Sequence, residues 1–267
     1  MILNTNLGIN NMIITIISGA SRGIGAAIAS DLINLDHTFL LLSGHTNIDG
    51  VEFNNENVVK KQIDFEEPIL VYDYIRDFLK DKGKLNQINI ILCASQLGSH
   101  VSESLEFDLE EISNVFKSNL IANLAIIKAV SEHIDNKSRL RVVFFGGGGA
   151  AYAYPEFFGY SLSKVATVRA VENLGIMLKR VTNDVSIIAL APGAVKTDML
   201  KKVLEKGGFV KTETDISEPV AFVRSFIFDE IPSLELNGMF IHVRDELKDI
   251  TVKLKKGNEI FKLRRVQ

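Results

Sequence analysis

The chain has 267 residues, of which 46% are hydrophobic and 24% charged, and this composition excludes disordered, collagen-like and coiled-coil proteins. Its longest apolar runs are far shorter than the ~20 residues that cross a bilayer, so we expect no membrane-spanning segment. Its 30 basic and 33 acidic residues give a net charge of -3, which provides no electrostatic basis for binding nucleic acid.

Short apolar runs alternate with longer segments of helical periodicity. The predicted strands are residues 12–18, 38–43, 58–63, 88–94, 140–145, 185–190 and 239–243, and the predicted helices are residues 23–35, 66–80, 108–133, 159–181 and 217–228. Strands that are apolar throughout and separated by helices favour a parallel sheet covered on both faces. The eighth βα unit that a closed barrel requires does not follow residue 243. The sequence therefore predicts an α/β fold, a single doubly wound Rossmann-type domain over residues 12–245 with a parallel sheet of about seven strands.

The two ends of the chain depart from this alternating pattern. Residues 1–11 are rich in asparagine and have neither a cationic start nor a long apolar stretch, so we expect a disordered lead rather than a signal peptide. Residues 246–267 contain two runs that alternate apolar and basic residues around Gly257 and Asn258, which predicts a β-hairpin. The basic side chains of this extension are either an anion- or nucleic-acid-binding patch or, as we favour, a solvated strand face.

A glycine-rich turn follows the first predicted strand and opens the first helix. Residues 18–25 read SGASRGIG, which differs from the G-x-G-x-x-G dinucleotide fingerprint. Both patterns rest on the same physics, because glycines permit a tight turn with close backbone approach and the helix N-terminus faces a pyrophosphate. The turn therefore favours nucleotide binding, with an ordinary strand-to-helix turn as the alternative.

A tyrosine and a lysine four residues apart begin the helix after the fifth strand. At this spacing Tyr160 and Lys164 share one helical face. A nearby ammonium stabilises a tyrosinate, which lowers the pKa of the phenol toward the range useful for proton transfer. The spacing therefore indicates a catalytic pair, although surface Tyr–Lys pairs with the same spacing are common.

Together, in this order and on these elements, the glycine-rich turn and the Tyr–Lys pair resemble the short-chain dehydrogenase/reductase family. The resemblance extends from about residue 12 to residue 243 and includes Asp64 after the third strand, Asn119 in the long helix, and Pro192-Gly193 after the sixth strand. It implies that Tyr160 exchanges a proton with a carbonyl or alcohol oxygen while a hydride moves to or from a nicotinamide. It further implies that Lys164 lowers the pKa of Tyr160 and holds the nicotinamide ribose, and that Asn119 supports a water in the proton relay.

The resemblance also implies a cofactor, for which we favour NADP over NAD. An NAD-binding chain normally carries an acid at the end of the second strand, where this chain has Ser43, Gly44, His45 and Thr46. Arg22, with Ser43 or His45, is suited instead to the 2′-phosphate of NADP. The residues expected at the cofactor are Gly19, Ser21, Arg22, Gly23, Ile24, Gly25, His45, Asp64, Phe65, Ala94, Tyr160, Lys164, Pro192, Gly193, Val195 and Thr197.

Two departures from the family pattern bear on activity. The fourth strand usually ends Asn-Asn-Ala-Gly, whereas residues 92–95 read LCAS, so the amides that stabilise the central sheet are absent from this strand. More seriously, Gly147 occupies the position of the catalytic serine, thirteen residues before Tyr160. Loss of one such hydrogen-bond donor typically costs about 2.7–4 kcal/mol of transition-state stabilisation.

Three interpretations of Gly147 remain open. Backbone N–H groups of the glycine run at 146–149 could bind the substrate oxygen, or a hydroxyl of Ser95, Tyr152 or Tyr154 could replace the missing one. Alternatively, the protein binds a nucleotide without turnover, as a regulatory or partner subunit. We favour an active enzyme, because the family's other catalytic positions are all retained.

The remaining features suggest no further site. The five histidines show no metal-ligand spacing with each other or with Cys93, so we expect no metal. The single cysteine excludes an internal disulfide and is typical of a reducing compartment, so we expect a cytoplasmic protein. From the family resemblance we expect a homodimer or homotetramer that pairs through the helices at 108–133 and 159–181. Its substrate would be a small-molecule carbonyl or alcohol, covered by residues 197–215.

Overall fold

The structure is a computed structural model that describes residues 12–46, 48, 56–101, 106–208, 210, 212–246, 252 and 261–263. Its strands, in chain order, are β1 (Ile13–Ser18), β2 (Thr38–Ser43), β3 (Val58–Gln62), β4 (Gln87–Leu92), β5 (Arg139–Phe145), β6 (Asp184–Ala191), β7 (Ala194–Val195), β8 (Glu213–Thr214) and β9 (Met239–His242). Seven of them form one parallel sheet in the order β3-β2-β1-β4-β5-β6-β9, and β7 and β8 form a separate two-stranded ribbon. The predicted doubly wound fold is confirmed.

The helices cover both faces of this sheet. They are α1 (Gly23–Leu32), α2 (Pro68–Leu79), α3 (Leu109–Phe116), α4 (Ala122–Ser131), α5 (Gly148–Ala151), α6 (Phe158–Leu178), α7 (Asp198–Glu205) and α8 (Ser217–Ile227). Successive residues of a strand point to opposite faces, so Ile16 packs with the helices α2, α4 and α6, whereas Ile17 packs with α1 and α8. Burying an isoleucine on either face contributes about 1.5–3 kcal/mol, which explains why the strands are apolar throughout.

The predicted elements agree with the structure to within three residues at each end. The long helix predicted at 108–133 is divided, because a π-helical segment at Lys117–Ile121 joins α3 to α4. The hydrophobic pattern of the sequence did not predict α5, α7, β7 and β8. Each of these elements is eight residues or shorter, too short for hydrophobic periodicity to identify.

The topology places a crevice at the carboxyl ends of β1 and β4. The chain leaves β1 toward β2 and β3 on one side, then crosses to β4 on the other side. In open α/β sheets, ligands bind where the strand order reverses in this way. The glycine-rich turn after β1 and the loop after β4 therefore flank the expected ligand site.

Both predicted terminal segments fall mainly outside the described residues. The predicted lead at 1–11 lies wholly outside them, and so does most of the predicted hairpin within 246–267. The described Phe261 and Leu263 lie against the sheet edge and α6, where Phe240 N donates to Phe261 O (2.9 Å) and Leu263 N donates to Glu172 Oε1 (2.6 Å). Across the described ranges, no helix is both long and apolar enough to cross a membrane.

Candidate active site

A cleft of about 500 Å³ lies at the carboxyl ends of the central strands. This volume is in the range of small-molecule and cofactor sites. The cleft brings together all but three of the residues expected at the cofactor: Gly19, Ser21, Arg22, Gly23, Ile24, Gly25, His45, Phe65, Ala94, Tyr160, Lys164, Pro192 and Thr197. Residues from distant parts of the sequence therefore converge on a single site.

Three expected cofactor residues do not line the cleft. Asp64 Oδ1 accepts a hydrogen bond from Glu66 N (2.8 Å), so this side chain holds the turn before α2. Gly193 has a φ of +74°, and a side chain there would collide with Thr214. Val195 is buried in the ribbon of β7 and β8, where it pairs with Thr214. Each of these residues holds the backbone of a segment next to the cleft, and its expected contact with the cofactor stays a prediction.

The glycine-rich turn packs backbone to backbone against the residues that follow the fourth strand. Gly19 has a φ of +70°, and an added Cβ would lie 2.7 Å from Ala94 N at the end of the fourth strand. Only glycine adopts this conformation cheaply and permits such close approach. The first turn of α1 contains no acidic residue, so its N-terminal N–H groups are suited to an anion. The residues present therefore fit the pyrophosphate of a nicotinamide dinucleotide.

Asn123 supplies an amide that the fourth strand lacks. Its Oδ1 accepts from Ser18 Oγ (3.1 Å), and its Nδ2 donates to Ala94 O (3.3 Å) and to Asn119 O (3.0 Å). Ala94 N in turn donates to Ser18 Oγ (3.2 Å), so the ends of β1 and β4 are tied together. The end of the fourth strand carries no such amide, as expected, and α4 provides one from the neighbouring layer. The signal was a buried asparagine one helical turn after Asn119.

Asn119 does not line the cleft and lies behind it, between the loop after β4 and α6. Its Nδ2 donates to Gln96 O (2.9 Å) and Ser163 Oγ (3.0 Å), and its Oδ1 accepts from Gln96 N (2.7 Å). Both amide protons are therefore already used. Asn119 therefore joins the loop after β4 to the helix that carries Tyr160, and its expected role in a water relay stays a prediction. It lies in the π-helical segment, and such segments frequently occur at functional sites.

Tyr160 and Lys164 lie together at the wall of the cleft. Lys164 is only 4% exposed, its Nζ donates to Phe145 O (2.9 Å), and the same Nζ is 5.4 Å from the centre of the Tyr160 ring. Burial raises the pKa of Tyr160 to about 12 and lowers the pKa of Lys164 to about 8. The shift of Tyr160 is opposite to the one expected from the Tyr–Lys spacing, because desolvation of the phenol, and then the neighbouring Tyr154, raise its pKa.

Gly147 is placed directly beside the hydroxyl of Tyr160. Its φ of +136° with ψ of 178° lies in a region that is essentially restricted to glycine. A Cβ added there would lie 3.2 Å from Tyr160 Oη. The position of the family's serine is therefore next to the expected proton donor, but its backbone conformation does not suit a serine.

The three hydroxyls considered as replacements occupy different environments. Tyr152 is 80% exposed and does not line the cleft. Tyr154 packs its ring 5.3 Å from that of Phe157, in a small apolar cluster, and burial raises the pKa of its hydroxyl. Ser95 does line the cleft, and within the described part of the chain its buried Oγ has no hydrogen-bond partner. Of the three, Ser95 is the best placed.

Two features of the site were missed in the sequence. The first is Gln96, whose side-chain amide connects several elements. Its Nε2 lies within hydrogen-bonding distance of Glu66 Oε1 (3.2 Å), Asn114 O (3.1 Å) and Ser118 Oγ (3.0 Å). The helix α7, within the segment expected to cover the substrate, contributes Asp198, Met199 and Lys202 to the cleft. The apolar spacing of α7 was present in the sequence, but its many charged residues obscured it.

Cys93 lies in the wall of the same cleft. Burial raises the pKa of its thiol, so the thiol stays protonated and poorly nucleophilic. In the described ranges, no group of three His, Cys, Asp or Glu side chains could hold a metal ion.

Comparison with known proteins identifies the family. A family model described as short chain dehydrogenase matches residues 13–207. Benzil reductase ((S)-benzoin forming) of Saccharomyces cerevisiae is 22% identical over 256 residues, covering 87% of this chain and 96% of that enzyme. A structure of 4-hydroxyisoleucine dehydrogenase complexed with NADH matches with a TM-score of 0.70 at 18% identity, over 86% of this chain and 96% of that chain.

A second solved structure, ElxO with NADP bound, matches with a TM-score of 0.71 at 17% identity, over 87% of this chain and 96% of that chain. At these identities the two structures support the fold alone, and the family model supports the membership. The chain belongs to the short-chain dehydrogenase family of oxidoreductases, which act on CH–OH and C=O groups.

Proposed function

We propose that the protein is an NADP-dependent carbonyl reductase or alcohol dehydrogenase in which Tyr160 is the general acid/base. The observation that carries the proposal is the shared cleft, in which Tyr160 and the buried Lys164 lie opposite the glycine-rich turn. A dinucleotide held at this turn would extend toward the tyrosine. A bound nicotinamide supplies or accepts the hydride, and the protein supplies the proton.

The protein's own residues account for the proton. Because burial raises the pKa of Tyr160 to about 12, this phenol is protonated at neutral pH and ready to donate to a carbonyl oxygen. The pKa of Lys164, lowered to about 8, leaves its ammonium mostly charged at neutral pH, where it stabilises the resulting tyrosinate. This arrangement favours reduction of a carbonyl over oxidation of an alcohol at neutral pH.

The preference for NADP rests on charge at the adenosine end of the cleft. Arg22 and His45 line the cleft, and Gly44 and Thr46 beside them carry no acid that could bind a ribose 2′-hydroxyl. One solved relative is bound to NADH and another to NADP, so both cofactors occur on this fold. Arg22 is the residue on which the proposed preference depends.

A second candidate is a nucleotide-binding protein without turnover. It is favoured by Gly147, which leaves the substrate oxygen without the family's serine hydroxyl. In this case the dinucleotide site would be retained while the chemistry is lost. The two candidates share cofactor binding and differ only in hydride transfer.

The experiment follows oxidation of NADPH and NADH across a panel of aromatic and aliphatic ketones and aldehydes, with Tyr160→Phe as the matched control. We expect NADPH to bind more tightly than NADH, turnover of at least one carbonyl, and loss of that turnover in Tyr160→Phe with cofactor affinity retained. Arg22→Ala should reduce the preference for NADPH. Binding of NADPH with no turnover across the panel supports the second candidate, and equal or tighter binding of NADH contradicts the proposed cofactor.

We also propose that the chain assembles as a homodimer or homotetramer through the helical segment 108–133, which contains α3 and α4, and through α6. Three large apolar side chains are exposed on these helices: Ile176 (64%) and Met177 (54%) on α6, and Ile121 (45%) directly before α4. Exposed apolar side chains of this size are typical of a surface that a partner covers. Light scattering at micromolar concentration should give a mass of two or four chains. A monomer at that concentration would contradict the proposed assembly.

A further inference from the structure

An ion pair spans the mouth of the cleft between the glycine-rich turn and α7. Arg22 Nη1 lies 3.5 Å from Asp198 Oδ2, and both residues line the cleft. The two chain segments are in close contact here, because a Cβ added to Gly23 would lie 3.3 Å from Thr197 Cγ2. Among the described residues, Asp198 is the only carboxylate within ion-pair distance of Arg22.

This pairing has an electrostatic cost for one cofactor and not for the other. NADPH and NADH share the pyrophosphate and the nicotinamide, so any effect of Asp198 on those groups would be the same for both cofactors and would cancel when their affinities are compared. The 2′-phosphate of NADPH adds about -1.5 to -2 charges, and it would share Arg22 with the carboxylate. The side chains of Arg22 and Asp198 are 59% and 70% exposed, so the competition is moderated by water and reduced by salt.

We propose that Asp198 is a specificity-determining residue that restrains the preference for NADPH by competing with its 2′-phosphate for Arg22. The inference rests on the proposed function, since it requires that a nicotinamide dinucleotide binds with its adenosine end near Arg22. It assigns to α7 a role at the cofactor in addition to covering the substrate. Its consequence is that removing one negative charge changes the ratio of two affinities rather than affinity in general.

The test is calorimetric titration of NADPH and NADH into the wild type, Asp198→Asn, Arg22→Ala and the double variant. Glu205→Gln is the matched control, because it removes the same charge from the same helix, where Glu205 faces Lys201 outside the cleft. Asp198→Asn should raise the ratio of Kd for NADH to Kd for NADPH by about three- to fivefold at low salt, and Glu205→Gln should not. In the Arg22→Ala background, Asp198→Asn should leave the ratio unchanged.

Several outcomes overturn the inference. They are an unchanged ratio in Asp198→Asn, an equal change for both cofactors, an equal effect of Glu205→Gln, or an undiminished effect of Asp198→Asn in the Arg22→Ala background. A wild-type chain that binds neither dinucleotide overturns the proposed function and this inference with it. Binding of both with an unaffected ratio overturns the inference alone.

Discussion

The two ends of β5 use buried cations in opposite ways. At the start of the strand, Arg141 is 1% exposed and uses all five of its N–H groups, including bonds from Nε to Asp229 Oδ1 (2.8 Å) and from Nη2 to Asp184 Oδ1 (2.7 Å). At the other end of the strand lies Lys164, which comes from α6 and is also buried. Within the described residues, the only hydrogen bond that its ammonium donates is to O of Phe145, the last residue of β5. The guanidinium is fully paired, whereas no carboxylate among the described residues pairs with the ammonium of Lys164.

The pKa shifts express the same difference. Burial alone would raise the pKa of Asp229, but hydrogen bonds from Arg141 and Arg139 outweigh it and the pKa is lowered, which marks a stabilising pair. The pKa of Lys164 falls to about 8, which marks a charge that the fold disfavours. The amino-terminal edge of the sheet therefore carries a stabilising ion-pair network, and the carboxyl-terminal edge carries an unfavourable buried cation, which is a candidate functional group.

The largest effect is expected from Lys164→Met, which removes the unpaired cation. The value of kcat/KM for carbonyl reduction should fall at least about 100-fold, because nothing then stabilises the tyrosinate of Tyr160. The free energy of unfolding should rise on the order of 1–2 kcal/mol, because a charge disfavoured by burial is replaced by an apolar chain. Steady-state kinetics and urea unfolding measure the two changes. A variant that loses both activity and stability would contradict the comparison.

The matched substitution at the other end, Arg141→Met, should have the opposite outcome. It leaves Asp229 and Asp184 without their buried partner, so we expect the free energy of unfolding to fall by about 3 kcal/mol. The activity of the folded fraction should be unchanged, since Arg141 does not line the cleft. Arg139→Met, at a more exposed side chain of the same network, should cost less. A loss of activity larger than the fraction of unfolded protein explains would contradict this prediction, because it would show that the two ends of β5 are coupled.

Gly147→Ser tests whether the site is rebuilt or decayed. Because Gly147 has a φ of +136° and faces the Tyr160 hydroxyl, a serine there is strained and crowds the proton donor. We expect kcat/KM to stay level or fall by up to about tenfold. Gly148→Ala is the control, because a Cβ added at Gly148 has no neighbour within 4 Å.

A large gain of activity in Gly147→Ser would show that the chain is a decayed enzyme that had lost only its donor. Ser95→Ala separates the two remaining sources of that hydrogen bond. A fall of about tenfold or more would assign it to the Ser95 hydroxyl, and an unchanged rate would leave the backbone of the glycine run.

The pH dependence offers a smaller and graded effect. The pKa of Lys164 in the folded chain, about 8, lies below its usual value of 10.5, so the unfolded chain binds more protons between these values. The stability deficit of the wild type relative to Lys164→Met should therefore be constant below pH 8 and shrink as the pH rises toward 10.5. Over the same range kcat/KM for reduction should fall, with about half lost near pH 8. A stability deficit that grows with pH would contradict the assignment, because it would mean that folding raises the pKa of Lys164 rather than lowers it.

The sequence was sufficient for the fold because its strands are buried on both faces. Runs such as those of β1 and β4 must be apolar throughout, and the alternation with helices then leaves few topologies. The ligand cleft followed from the same rule, because the glycine-rich turn after β1 is at the switch point. Hydrophobic pattern and topology together locate the site, although they do not describe its inner contacts.

The missed features depend on contacts between residues that are distant in sequence. Asn123 replaces an amide that the family carries on another element, and nothing local to residue 123 reveals that it bonds Ser18. The pairing of Arg22 with Asp198 likewise joins segments that are far apart in the chain. The pKa of Tyr160 was expected in the wrong direction because the Tyr–Lys spacing reports the neighbouring charge but not the burial of the phenol.

The most direct test of the account is hydride transfer followed with NADPH in which both hydrogens at C4 of the nicotinamide are replaced by deuterium. Wild-type enzyme is incubated with an accepted ketone, and mass spectrometry locates the deuterium in the product. We expect deuterium on the carbinol carbon from the wild type, and little product from Tyr160→Phe at equal occupancy by NADPH. Product without deuterium, or labelled product formed equally fast by Tyr160→Phe, would contradict the proposal that this cleft reduces carbonyls with Tyr160 as the proton donor.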